Sequence, residues 1–95
     1  MNLAQTYVGR LGTHQSAAYT GTAGVITNAI GTGCHRVRVV LTTTGFIAFG
    51  AAPTATTSDH YMVANIPEYF NVRPGEKVSA VQLSSGGTLH VTEIV

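Results

Sequence analysis

From His35 onward, hydrophobic and polar positions alternate with a period of two. In His35-Arg36-Val37-Arg38-Val39-Val40-Leu41, Val37, Val39 and Leu41 fall on one side and Arg36 and Arg38 on the other, the pattern of a half-buried strand. Phe46-Ile47-Ala48-Phe49 follows Gly45 and is closed by Gly50-Ala51-Ala52-Pro53. It reads as a short strand rich in aromatic and branched side chains. Residues 54–59 form a polar loop with little reason to bury itself. Residues 60–64 offer another short strand, interrupted by Asn65 and Pro67; the proline biases Ile66 toward an extended backbone. Glu68-Tyr69-Phe70-Asn71-Val72 alternates again, with Phe70 and Val72 directed inward.

Arg73-Pro74-Gly75-Glu76 carries the clearest turn signal. Proline presets φ at the second position and glycine accepts positive φ at the third, which predicts a type II turn. Residues 77–83 leave it as a strand. Ser84-Ser85-Gly86-Gly87 turns the chain once more, and residues 88–94 form the closing strand with Leu89 and Val91 inward. Short strands bounded by Gly, Pro and Ser turns predict an all-β fold, a small β-sandwich or jelly-roll-like domain.

The N-terminal third lacks this regularity. Leu3, Tyr7 and Leu11 stand at helical spacing, but Gly9 and Gly12 weaken a helix there. One strand is expected around Val25-Ile26-Thr27, and Gly31-Thr32-Gly33 reads as a flexible joint. Residues 1–20 are expected to form an extended N-terminal arm that docks elsewhere, and residues 21–95 the sandwich. Removing residues 2–16 is accordingly expected to leave the sandwich folded.

Composition narrows the function. The chain has 95 residues, one domain that buries roughly 64% of its unfolded surface. Only 9% of its residues are charged, well under the roughly 25% usual for soluble domains. A surface so poor in charge favours coverage by neighbouring subunits, and a homo-oligomer is expected, a trimer for preference. The net charge of +1 offers no cluster of cations for nucleic acid. The opening Met1-Asn2-Leu3-Ala4 is not expected to act as a secretory signal, and no apolar run is long enough to span a membrane as a helix. The single Cys34 has no disulfide partner within the chain.

No catalytic, cofactor or metal constellation is apparent. His14, His35, His60 and His90 lack the spacing that sets two ligands on one strand or helix face. They read as surface histidines, unless a symmetric oligomer gathers copies of one around an axis. Ser84 and Ser85 lack a nucleophile elbow. Cys34 and His35 are adjacent and point apart on an extended chain. Asp59, Glu68, Glu76 and Glu93 form no acid–base pair on a common face. An enzyme is therefore not expected. Phe46, Phe49 and Phe70 are expected to fill the interior. Tyr61 and Tyr69 flank the bend at 65–67 and, with Leu3, Tyr7 and Leu11, are the candidate interface residues.

The phrases Phe46-Ile47-Ala48-Phe49-Gly50, Pro53-Thr54-Ala55-Thr56, Ile66-Pro67-Glu68-Tyr69-Phe70, Val72-Arg73-Pro74-Gly75-Glu76-Lys77-Val78 and Gly87-Thr88-Leu89-His90-Val91-Thr92-Glu93 give the chain a family likeness. In their order and turn placement it resembles small all-β structural proteins of tailed bacteriophages, over roughly residues 37–95. The resemblance implies a virion component assembled in the host cytoplasm, foremost a capsid decoration (cement) protein that binds the major capsid protein or other virion subunits. The alternative is a tail, neck or fibre part acting as a host-glycan or receptor-binding module through Tyr61, Tyr69 and the 54–59 loop. A small enzyme or metal protein organised across a subunit interface ranks last.

Overall fold

In the computed structural model, which describes residues 9–95, eight strands follow one another as a long hairpin rolled over on itself. They are β1 (Leu11–Tyr19), β2 (Gly24–Val25), β3 (Arg36–Leu41), β4 (Gly45–Gly50), β5 (His60–Met62), β6 (Glu68–Asn71), β7 (Lys77–Gln82) and β8 (Gly87–Ile94). The first pairs with the last, β2 with β7, β3 with β6 and β4 with β5, all antiparallel. Rolling then sets β3 beside β8 and β4 beside β7. The result is two four-stranded sheets, β1-β8-β3-β6 and β2-β7-β4-β5. Those orders are a jelly roll of two Greek keys. The expected all-β class therefore stands, and of its two forms the molecule takes the jelly roll.

Alternation sets the core as expected. Val37, Val39 and Leu41 of β3 and Leu89 and Val91 of β8 face Ile47 of β4 and Val78 and Ala80 of β7, all buried in one cluster. Met62, Val72, Ile26, Ile30, Cys34 and Tyr19 close its ends. Burying each large aliphatic side chain contributes about 1.5–3 kcal/mol. At the predicted turn Gly75 has φ of 91°, and the Glu76 amide donates to the Arg73 carbonyl at 3.1 Å. Asn65 also takes positive φ, 62°, which Asn tolerates better than most residues. Its amide donates to the Leu41 carbonyl at 2.7 Å, tying the 63–67 connection to the end of β3.

Three expectations need correction. The arm over 1–20 is one: residues 1–8 lie outside the described residues, but Leu11–Tyr19 is β1, an edge strand of the sandwich itself. The sandwich thus begins ten residues before position 21, and removing residues 2–16 takes away most of a strand. β1 was hidden because its outer side is polar and its inner side offers only Gln15, Ala17 and Tyr19. The second correction concerns Phe46. It stands three residues before Phe49, an odd offset, and must face the opposite side of the sheet. Phe49 and Phe70 pack on the main core, whereas Phe46 lies outside it with Val81 and Ala55.

Ala55 brings the third correction, because it is buried while Thr54 and residues 56–59 of its loop stay exposed as expected. The 51–59 segment covers the outer face of β4 and β7, leaving Ala55 only 4% exposed. Its amide donates to Ser79 Oγ at 3.0 Å, and that hydroxyl donates onward to the Gly24 carbonyl at 2.9 Å. This cover explains why four successive residues of β7, Val78 to Val81, are buried on both faces of the sheet.

Candidate functional site

The covered face of one sheet leaves the other sheet and the strand edges as the surfaces open to partners. β5 and β6 are the outer strands of their sheets. Between them His60 Nε2 meets Glu68 Oε1 at 3.0 Å. The His60 ring stands edge-on to Phe70 at 5.5 Å, and Phe70 packs on Phe49 at 5.2 Å. These side-chain contacts draw the two edge strands together along one flank, their backbone edges staying unpaired. The His60–Glu68 contact is partly exposed, so it adds little stability. On this flank Tyr61 and Tyr69 are each 51% exposed, and Val63 and Ile66 of the connection are also exposed. Tyr61 leans on Phe46 with ring centres 5.6 Å apart, while Tyr69 lies opposite Arg38 on the outer side of the other sheet.

The structure thus brings two of the five candidate interface residues to one flank, on its two sides. Leu11 is 74% exposed but sits on β1, the far edge of the sheet from β6. Three strand spacings of about 4.8 Å separate those edges. Leu3 and Tyr7 lie outside the described residues. Val63 and Ile66 escaped the sequence reading because they look like ordinary strand-end and pre-proline residues. Only the position of their connection, at the end of the sandwich, leaves them uncovered.

Each carboxylate is occupied by its own neighbourhood. Asp59 Oδ2 accepts from the Thr56 amide at 2.7 Å, and Glu76 Oε1 from the Arg73 amide at 2.8 Å. Glu93, nearly buried, accepts from the Gly31 amide at 3.2 Å, and Glu68 meets His60. Cys34 is buried, with Sγ 3.0 Å from the Arg36 carbonyl, while His35 beside it is exposed. His35, Arg36, Asn71 and Ile94 line a shallow cavity of about 300 Å³ at the end of the sheet. Among the described residues no point gathers three or more His, Cys, Asp or Glu side chains that could hold a metal ion.

One juxtaposition runs against the sequence reading of isolated histidines. A register shift between Leu11 and His14 inserts one extra residue in β1, after which His14 pairs with Thr92 and Ser16 with His90. His14 and His90 are then diagonal neighbours on the outer face, with ring centres 5.3 Å apart. His14 Nε2 lies 3.2 Å from His90 Nδ1, and His14 Nδ1 lies 2.9 Å from Thr92 Oγ1. No local spacing rule finds such a pair, since its members are 76 positions apart.

No protein-family model matches the chain, and no curated protein matches it. Among solved structures, an RmlC-like cupin family protein with a double-stranded β-helix fold, from Methanocaldococcus jannaschii, is similar at 8% identity and a TM-score of 0.39. The alignment covers 93% of this chain and 83% of that one. A likeness of that degree bears on neither activity nor partners.

Proposed function

We propose that this chain is a structural protein of a tailed-bacteriophage particle, a capsid decoration protein that docks on shell subunits through the β5–β6 flank. The observation that carries this reading is the flank itself. Tyr61 and Tyr69 are exposed on the outer faces of the two sheets, and Val63 and Ile66 on the connection between them, where each sheet ends in an edge strand. Open edges and exposed aromatics are the groups that a neighbouring subunit covers. The low charge of the whole chain and its resemblance to small phage structural proteins support the same reading. Self-association, in threes for preference, belongs to the proposal, since a closed ring of copies covers edges without growing into a filament.

The test is binding to undecorated particles. The purified chain should bind at a copy number comparable to that of the major shell subunit. The variant Tyr61→Ser with Ile66→Ser should fold normally, because both residues are exposed, and should bind about tenfold or more weakly. A few copies per particle, or undiminished binding by the variant, refutes the decoration role.

A further inference from the structure

We propose that His14 and His90 form a binding site for a divalent first-row transition ion such as Cu²⁺, Ni²⁺ or Zn²⁺. Zinc–imidazole bonds of about 2.0–2.1 Å at a tetrahedral angle set two ligand nitrogens about 3.3 Å apart. His14 Nε2 and His90 Nδ1 are 3.2 Å apart, the spacing of two nitrogens on one ion, and rotation of the rings would turn both lone pairs toward it. The strands on which they stand are hydrogen-bonded neighbours in register, which fixes the two ring attachments before any ion arrives. Such preorganisation reduces the conformational cost of binding.

The surroundings select the ion. Thr92 Oγ1 stands 2.9 Å from His14 Nδ1. When His14 Nδ1 carries the proton it donates to that hydroxyl and leaves the Nε2 lone pair toward His90, the orienting role that partners of ligating histidines commonly play. No carboxylate faces the pair: Asp59, Glu68, Glu76 and Glu93 are engaged elsewhere. Arg38 is the register partner of Thr92 on the other side of β8. With nitrogen donors alone beside a cation, the site offers little to Ca²⁺ or Mg²⁺, which require oxygen ligands. Imidazole pairs suit zinc, nickel and copper. His14 is exposed and His90 half-buried, so the remaining coordination positions open outward to water or to a donor from a second molecule.

Titration of the full chain with CuCl₂, NiCl₂ or ZnCl₂, followed by calorimetry and by histidine ring resonances, tests the site. One ion per chain is expected, bound most tightly as Cu²⁺. With Zn²⁺ the rings of His14 and His90 should shift together, while those of His35 and His60 stay fixed. Each of His14→Gln and His90→Gln removes one of two linked donors and should weaken binding by about a hundredfold. Thr92→Val keeps both donors and should weaken it by about tenfold. His14 is exposed, so its variant keeps the fold, which circular dichroism checks. Absence of saturable binding, an unchanged affinity in both histidine variants, or a response at His35 or His60 instead overturns the proposal. The first of these outcomes leaves the pair as an imidazole–imidazole hydrogen bond only.

Discussion

Replacing Tyr19 by Phe deletes one oxygen at the end of β1 and leaves the ring in place. The residue is 2% exposed, and its hydroxyl donates to the Thr43 carbonyl at 2.6 Å and accepts from the Thr43 amide at 3.2 Å. Thr43 lies in the turn between β3 and β4, and its own hydroxyl donates to the Ser85 carbonyl at 2.9 Å, in the turn between β7 and β8. One phenol therefore ties three chain reversals together. The ring stays, so no cavity opens and the loss is polar alone. A net hydrogen bond is worth about 0.5–1.5 kcal/mol, and an unsatisfied buried partner costs about 1–3 kcal/mol. Thr43 is half-buried and water replaces part of that, which sets the expected loss at about 1–2 kcal/mol. In a domain of this size the melting temperature should fall by about 5–10 °C. Urea unfolding should give a lower midpoint with an unchanged slope. A cycle with Thr43→Ala should yield a coupling of about 1 kcal/mol. A stability within about 0.3 kcal/mol of the parent, or an additive cycle, would refute the claim that this hydroxyl fastens the end of β1 to the turn at 42–44.

Two further outcomes follow from the same geometry. Gly75→Ala meets no atom within 4 Å of its new Cβ, so only the positive φ resists it; chemical denaturation should register a loss of about 1 kcal/mol, with Gly75→Asn recovering part of it. Ser79→Ala breaks the link from the Ala55 amide to the Gly24 carbonyl; it should destabilise by about 1–2 kcal/mol, and hydrogen exchange at Ala55 should quicken more than at Leu89 in the core.

Local chemistry determined much of this molecule. The turn at 73–76 follows from a proline and a glycine at adjacent positions, and β3, β7 and β8 follow from side chains that alternate within a few residues. Such signals need no knowledge of the rest of the chain, because φ preferences and the two-residue period are properties of the segment itself. The type of sheet followed too, since short strands without helical crossovers pair antiparallel. What only the tertiary structure decided is which surfaces meet. β1 is a strand because β8 supplies a partner from the other end of the chain, and its own polar sequence would not have held it extended. Ala55 is buried because β4 and β7 offer Phe46 and Val81 on a face that no strand covers. Tyr61 and Tyr69 share a flank, and Leu11 does not, because rolling the hairpin sends β1 to one edge and β5 and β6 to the other. His14 and His90 meet because one extra residue in β1 shifts the register before position 14. Register is a long-range property, and a shift of a single residue exchanges every side chain between the two faces of a sheet.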